Sequence, residues 1–217
     1  MNNTLNYYNN NAESFIDNTF LVNMENLYPP FLRYVKKGGW ILDVGCGSGR
    51  DSLYFKTHGY NIEAFDYSPE LVQLAQEKTG LPIRLQNFYD LDEHSLYDGI
   101  WACASLLHCA RSRLPEVMQK LINALKIDGI CYLSFKYGEN DRADQGREFT
   151  DLNEQQAQQL LKSFNNILLL QQWITIDNRP DHDESWLNII IRKVENPECF
   201  HTKLKIILIQ YQQHKNS

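Results

Sequence analysis

No apolar run in this chain approaches the roughly 18 residues that mark a membrane-spanning helix. The start, Met1-Asn2-Asn3, lacks the charged, apolar and small-residue order of a secretory leader. Together these absences give the expectation of a soluble, cytoplasmic protein with no membrane partner. A basic excess is also missing: 21 Lys and Arg stand against 27 Asp and Glu, a net charge of −6. That argues against a nucleic-acid partner, whose electrostatic footprint is basic. The five cysteines, at 46, 103, 109, 131 and 199, form no C-x-x-C pair. They therefore read as reduced thiols, with neither a disulfide frame nor a metal site expected. There is no internal repeat and no low-complexity tract. A G-K-[ST] phosphate loop and a G-x-G-x-x-G dinucleotide turn are both absent.

What is present is a different glycine turn. Ile41-Leu42-Asp43-Val44-Gly45-Cys46-Gly47-Ser48-Gly49-Arg50 runs from an apolar segment through an acid into three alternating glycines and a helical pattern. Glycine lets main chain approach a ligand with no Cβ in the way. The helix that follows offers unpaired N–H groups. Asp66 closes the next strand-like segment about twenty residues on, where an acid can bind ribose hydroxyls. A nucleoside-containing cofactor is implied. Asp43 places negative charge where a dinucleotide carries its own, so it suits a positively charged ligand group better.

The 217 residues, 43% of them hydrophobic, fit one α/β domain. A helical pattern covers 5–36, interrupted by Pro29-Pro30. Strand-like runs fall at 40–44, 61–65, 83–86, 99–103, 130–136, 167–175 and 187–193. Helical patterns occupy 50–58, 69–78, 114–126 and 153–164. This alternation predicts a mostly parallel sheet covered on both faces. Only a polar loop, 176–185, separates the last two strands, so they are expected to pair antiparallel. The stretch before Gly146 reads as another polar loop.

Asp43-x-Gly45-x-Gly47-x-Gly49 resembles the first motif of class I S-adenosylmethionine (SAM) methyltransferases. The likeness extends over about 1–194, toward small bacterial members described as type-11-like or tellurite-resistance-like. It implies a Rossmann-like, seven-stranded sheet with an antiparallel last strand, helices on both faces and an N-terminal helical lid over 1–36. Residues 195–217, with their apolar run Leu204 to Ile209, are expected as a helical extension. The implied cofactor is SAM. Asp43, Gly45, Cys46 and Gly47 would cradle its methionine part, and Asp66 would take both ribose hydroxyls. Asn87 would serve the adenine amine, with Tyr67 and Phe88 on either side of the ring. Cys103 and Ser105 would line the site after the fourth strand. Tyr7, Tyr8 and Arg33 are candidates for the cofactor carboxylate, whereas Arg50 reads as an exposed arginine at a helix start. His108 is the candidate catalytic group, as a general base or for substrate orientation.

The resemblance implies in-line methyl transfer to a small-molecule acceptor. Lys136, Arg147 and Arg179 are candidate positive charges for an anionic acceptor, and Tyr137, Phe149 and Trp186 candidate walls. A soft nucleophile is the other expected acceptor chemistry, and it would need no base. Methyl transfer to tRNA or protein, and SAM binding without catalysis, are the alternatives. A monomer or homodimer is expected.

Overall fold

The computed structural model describes residues 2–180 and 182–195. The predicted extension therefore lies, apart from Glu195, outside the described residues. Among the described residues no helix is long and apolar enough to cross a membrane.

The N-terminal segment forms three short helices where one interrupted pattern was expected. These are α1 (Asn2–Asn10), α2 (Ala12–Thr19) and α3 (Tyr28–Leu32). Pro29 and Pro30 sit in the first turn of α3, where a missing N–H costs no helical bond. The chain then alternates: β1 (Trp40–Val44), α4 (Arg50–Thr57), β2 (Asn61–Asp66), α5 (Pro69–Thr79), β3 (Ile83–Leu85), β4 (Tyr97–Ala102), α6 (Leu114–Ala124) and β5 (Leu125–Lys136). Ser68 caps α5, its hydroxyl accepting from the Leu71 N–H, and Gly80 ends it in the left-handed region.

The predicted polar loop before Gly146 is instead a hairpin, β6 (Asp141–Asp144) and β7 (Arg147–Thr150), turning through Gln145 and Gly146 with positive φ. Its strands, Asp-Arg-Ala-Asp and Arg-Glu-Phe-Thr, are mostly charged and hold one large apolar residue, so the sequence shows no apolar stripe to announce them. Helix α7 (Glu154–Leu161) follows, with a capping box between Asn153 and Gln156. Strands β8 (Ile167–Ile176) and β9 (Ser185–Lys193) complete the chain as the expected antiparallel pair.

The seven-stranded sheet has the order β3-β2-β1-β4-β5-β9-β8. Its pairs are parallel from β3 to β5, and β9 runs antiparallel to both β5 and β8. On one face Leu42, Val44, Ile100 and Leu133 pack against α6 and α7. On the other, Ile41, Trp101 and Tyr132 meet α3 and α4, while Ala64 meets α5. Strands buried on both sides read as near-continuous apolar runs, which is why the sequence displays them.

The strand order reverses between β1 and β4. A crevice opens there beyond the carboxyl ends of the strands, the usual ligand position in such sheets. The glycine turn after β1 and the segment after β4 face each other across it. Helices α1 and α2 pack against α5, and α1 also against β7.

Candidate active site

The glycine turn is shaped by what lies against it. Gly45 has φ +68°, and a Cβ there would sit 2.7 Å from Ser105 Cβ. Gly47 has φ +53°, and its Cβ would meet the Phe15 ring of α2 at 3.0 Å. Both positions combine a left-handed backbone with a neighbour in the side-chain space, so only glycine fits unstrained. Asp66 braces the turn from β2. Its two carboxylate oxygens accept from the N–H of Gly47 and of Ser68, each at 2.9 Å. Burial raises its pKa, against the pull of these N–H groups. Each oxygen keeps accepting capacity for a diol.

Two cavities adjoin the turn. The smaller, about 100 Å³, is bounded by Asp66, Tyr67, Asn87 and Phe88 on one side. Gly45, Gly47, Ser105, Tyr8 and His108 bound it on the other. Asn87 Oδ1 also caps the short turn after β3, accepting from the Tyr89 N–H at 3.1 Å. The Ser105 hydroxyl is buried with no hydrogen-bond partner. Such a group is costly unless a ligand engages it.

The larger cavity measures about 790 Å³ and reaches from the glycine turn toward β7, β8 and β9. Asp43, Cys46, Cys103, Tyr7 and Tyr8 border it near the turn; Lys136, Arg147, Arg179 and Trp186 line its remainder. Tyr8, Phe15, Gly45, Gly47, Ala104 and His108 belong to both cavities and form the partition between them.

His108 sits in a tight turn after β4, half-buried. Its Nδ1 lies 2.7 Å from the Glu148 carbonyl oxygen, which can only accept, so Nδ1 carries the hydrogen. Nε2 then accepts the Tyr8 hydroxyl at 2.8 Å. Burial lowers the His108 pKa to about 4, with Arg147, Lys136 and Arg142 adding to that effect against the Glu148 carbonyl. The imidazole is therefore neutral near pH 7. Burial likewise pushes Tyr8 up to about 12, against the charge of Arg147.

A buried polar network supports the turn from below. Asp43 accepts from Ser52 Oγ at 2.6 Å, and burial together with the negative Asp51 raises its pKa. Asp51 accepts from Tyr28 at 2.7 Å, from the Trp101 indole at 2.8 Å and from Arg50 at 2.7 Å. Sequence reasoning missed Asp51 and Ser52, one turn into α4, and undervalued Arg50. The cue was there: an acid and an arginine side by side directly after the glycines.

Two predicted site residues do not reach the site. Arg33 is exposed at the end of α3, its guanidinium 5.9 Å from the Tyr34 ring. Its helical neighbours Phe31 and Leu32 face the core, which turns Arg33 outward. Arg50 takes the cavity position instead, bonded also to the Thr19 carbonyl. Tyr137 is 42% exposed and donates to Glu154. Strand alternation sends Lys136 inward and its neighbour outward.

Residues 41–129 match the model of a methyltransferase domain. Over 83 residues the chain is 32% identical to hemagglutinin 1 of Eikenella corrodens, covering 36% of this chain and 27% of that protein. It is 27% identical over 137 residues to the probable S-adenosyl-L-methionine-dependent methyltransferase TehB of Haemophilus influenzae, covering 52% and 48%. The chain thus spans about half or less of these curated relatives. The Burkholderia thailandensis 1,6-didemethyltoxoflavin-N1-methyltransferase, crystallised with bound 1,6-didemethyltoxoflavin and S-adenosylhomocysteine (SAH), shares the fold. Its TM-score is 0.71 at 21% identity, covering 88% of this chain and 85% of that one. Residues 41–129 thus match a methyltransferase domain, and the chain shares the fold of SAM-dependent methyltransferase structures.

Proposed function

We propose that the chain moves the methyl group of SAM to a small-molecule acceptor held in the larger cavity. The observation that carries this reading is the partition: a glycine cradle with a ribose acid on one side, a roomy polar cavity on the other. A cradle that a Cβ would fill, with the Ser105 hydroxyl unpartnered beside it, fits the SAM methionine part. When bound, SAM supplies an electrophilic methyl on a sulfonium whose leaving group is a neutral thioether. The residues then have to align rather than to activate, and holding two reactants at attack distance can contribute effective molarities on the order of 10⁵–10⁸ M.

In this reading Asp66 binds the ribose diol and Asn87, Tyr67 and Phe88 receive the adenine. Tyr7 and Tyr8 serve the carboxylate side, with Arg50 in place of Arg33. Asp43 and Cys46 border the cationic part, and Cys103 the acceptor. Helices α1 and α2 act as a lid that excludes water, within a single domain spanning 1–194. His108 is a weak base in its present state, with Nε2 engaged by Tyr8. A proton leaving an O–H or N–H acceptor would pass to the Tyr8 oxygen while the Tyr8 proton moves to Nε2. A soft nucleophile such as a thiolate would bypass both. All these groups come from one chain, compatible with a monomer or a homodimer at work in the cytoplasm.

The test is calorimetric titration with SAM and SAH, followed by a panel of acceptors read by SAH release. Micromolar binding of both, with ATP and NAD silent, supports the cofactor assignment. Absence of binding by folded, ligand-free protein would overturn it. Binding with no turnover across a broad panel would leave a SAM-binding module.

A further inference from the structure

Four cations line the larger cavity; Lys136 makes one ion pair, with Glu184, and two arginines are fully occupied. Arg50 places Nε and a terminal nitrogen on Asp51 at 2.7 and 3.1 Å. Arg179 does the same on Asp177 at 3.0 and 2.6 Å. Each fork is filled by its own carboxylate, which is the strong geometry for arginine. Arg147 differs. Its ion pair is a single contact of 3.2 Å to Asp144, which is 51% exposed at the hairpin turn and open to solvent screening. Its other polar neighbour is the Tyr8 hydroxyl. Its Nε is buried without a hydrogen bond, a costly state unless a partner engages it. A guanidinium kept in a cavity with donors to spare points to a partner that arrives from outside.

Its surroundings match. The Arg147 guanidinium lies 4.3 Å from the Tyr7 ring centroid and 5.1 Å from that of Phe149. Lys136 reaches the same Phe149 ring at 5.5 Å from β5, and Arg142 at 4.3 Å from β6. Lys136 pairs with Glu184 at 2.8 Å and Arg142 with Asp151 at 2.6 Å. Three cations thus surround one aromatic ring, and that ring packs 4.9 Å from His108. The charges acting most on the imidazole are those of Arg147, Lys136 and Arg142, and all three oppose its protonation.

We propose that the methyl acceptor carries an anionic group, a carboxylate or a phosphate, which docks on Arg147 and Lys136 beside the Phe149 ring. This inference rests on the larger cavity being the acceptor site. Docking there sets the acceptor's anionic end at β7 and leaves its nucleophile free to face Ala104 and the partition. Arg147 and Lys136 are then specificity residues rather than catalytic ones.

The experiment titrates benzoate, phenyl phosphate and neutral benzamide into the full chain, with and without saturating SAH. At least one anion should bind on the order of tenfold more tightly than benzamide. Preference for benzoate identifies a carboxylate, and preference for phenyl phosphate a phosphate. Arg147→Met should abolish the preference while SAH affinity stays within about threefold. Should that variant not fold, Arg147→Lys should weaken the preference and Lys136→Met should reduce it independently. Equal binding of benzamide and the anions, no binding of either anion, or a preference untouched in the variants would overturn the inference. Failure of SAH to bind would instead overturn the cofactor reading, and the titrations without SAH would still decide the anion question.

Discussion

At the scale of single residues, Asp66 carries the most. It braces the glycine turn through Gly47 and the start of α5 through Ser68, and it faces the smaller cavity. Asp66→Ala should weaken SAM binding by about 2–3 kcal/mol, as loss of a charged hydrogen-bond partner does. Titration calorimetry would show it, and unchanged affinity would remove the ribose assignment. His108 is tied to Glu148 on one side and Tyr8 on the other. His108→Ala should lower turnover by roughly 10²-fold on an O–H or N–H acceptor while SAM affinity is nearly retained. Equal turnover in the variant would reject any part in proton transfer. The position of both residues beside the cavities was legible in the sequence because their neighbours announced them: an acid ending an apolar run, a histidine after small residues. Arg33 is exposed and Arg50 lines the larger cavity, the reverse of the placement expected, because a lone arginine carries no such context. Only the packing of Phe31 and the nearness of Asp51 separate them.

At the scale of elements, legibility followed apolar periodicity. β1, β2, β4 and β9 are visible as runs, since both faces of the sheet are covered there, and β8 shows as an apolar run although Leu168, Leu169, Ile174 and Ile176 are exposed at the sheet edge. The β6–β7 hairpin was not visible, because Phe149 is the single large apolar residue on its two strands. It nonetheless brings Arg147 and Phe149 to His108. Helices α1 and α2 were expected over the cofactor, and Phe15 stands against Gly47. Phe15 also packs edge-on to Tyr8 at 5.3 Å. Phe15→Ala should therefore speed SAH release by about tenfold, since truncating a contact aromatic costs around 1–2 kcal/mol of binding. Stopped-flow displacement would measure this. A release rate equal to that of the parent protein would mean that α2 does not retain the cofactor.

At the scale of the whole molecule, the buried charges make stability depend on pH. His108 takes up a proton near pH 6.5 when unfolded but only near about 4 when folded. Between those values the unfolded chain binds more protons, so this group's contribution falls as pH falls. Asp43 and Asp66, both raised by burial, act in the opposite sense. Against the cost of burial, Arg179 holds Asp177 down to about 2, and Lys136 holds Glu184 down to about 2. Those two contributions disappear only between about pH 4 and 2. The informative quantity is thus a difference: denaturation midpoints of the parent protein and of His108→Asn, measured from pH 7 to pH 4. The parent should lose stability relative to the variant across that window. Parallel curves would show the imidazole to be freely solvated.

Helix α1 touches both halves of the site. Asn9 accepts from the Ser68 hydroxyl on the cofactor side, and Thr4 accepts from the Glu148 N–H on β7. Tyr8 stands in the wall the two cavities share. In the proposed reading one ordered helix would therefore serve two ligands. Whichever arrives first leaves the second less to organise, so their affinities should be cooperative and reciprocal. SAH would tighten acceptor binding by the same factor by which the acceptor tightens SAH. The protein would then favour the ternary complex over either half-filled one, and a methyl donor would seldom wait in the site without something to methylate.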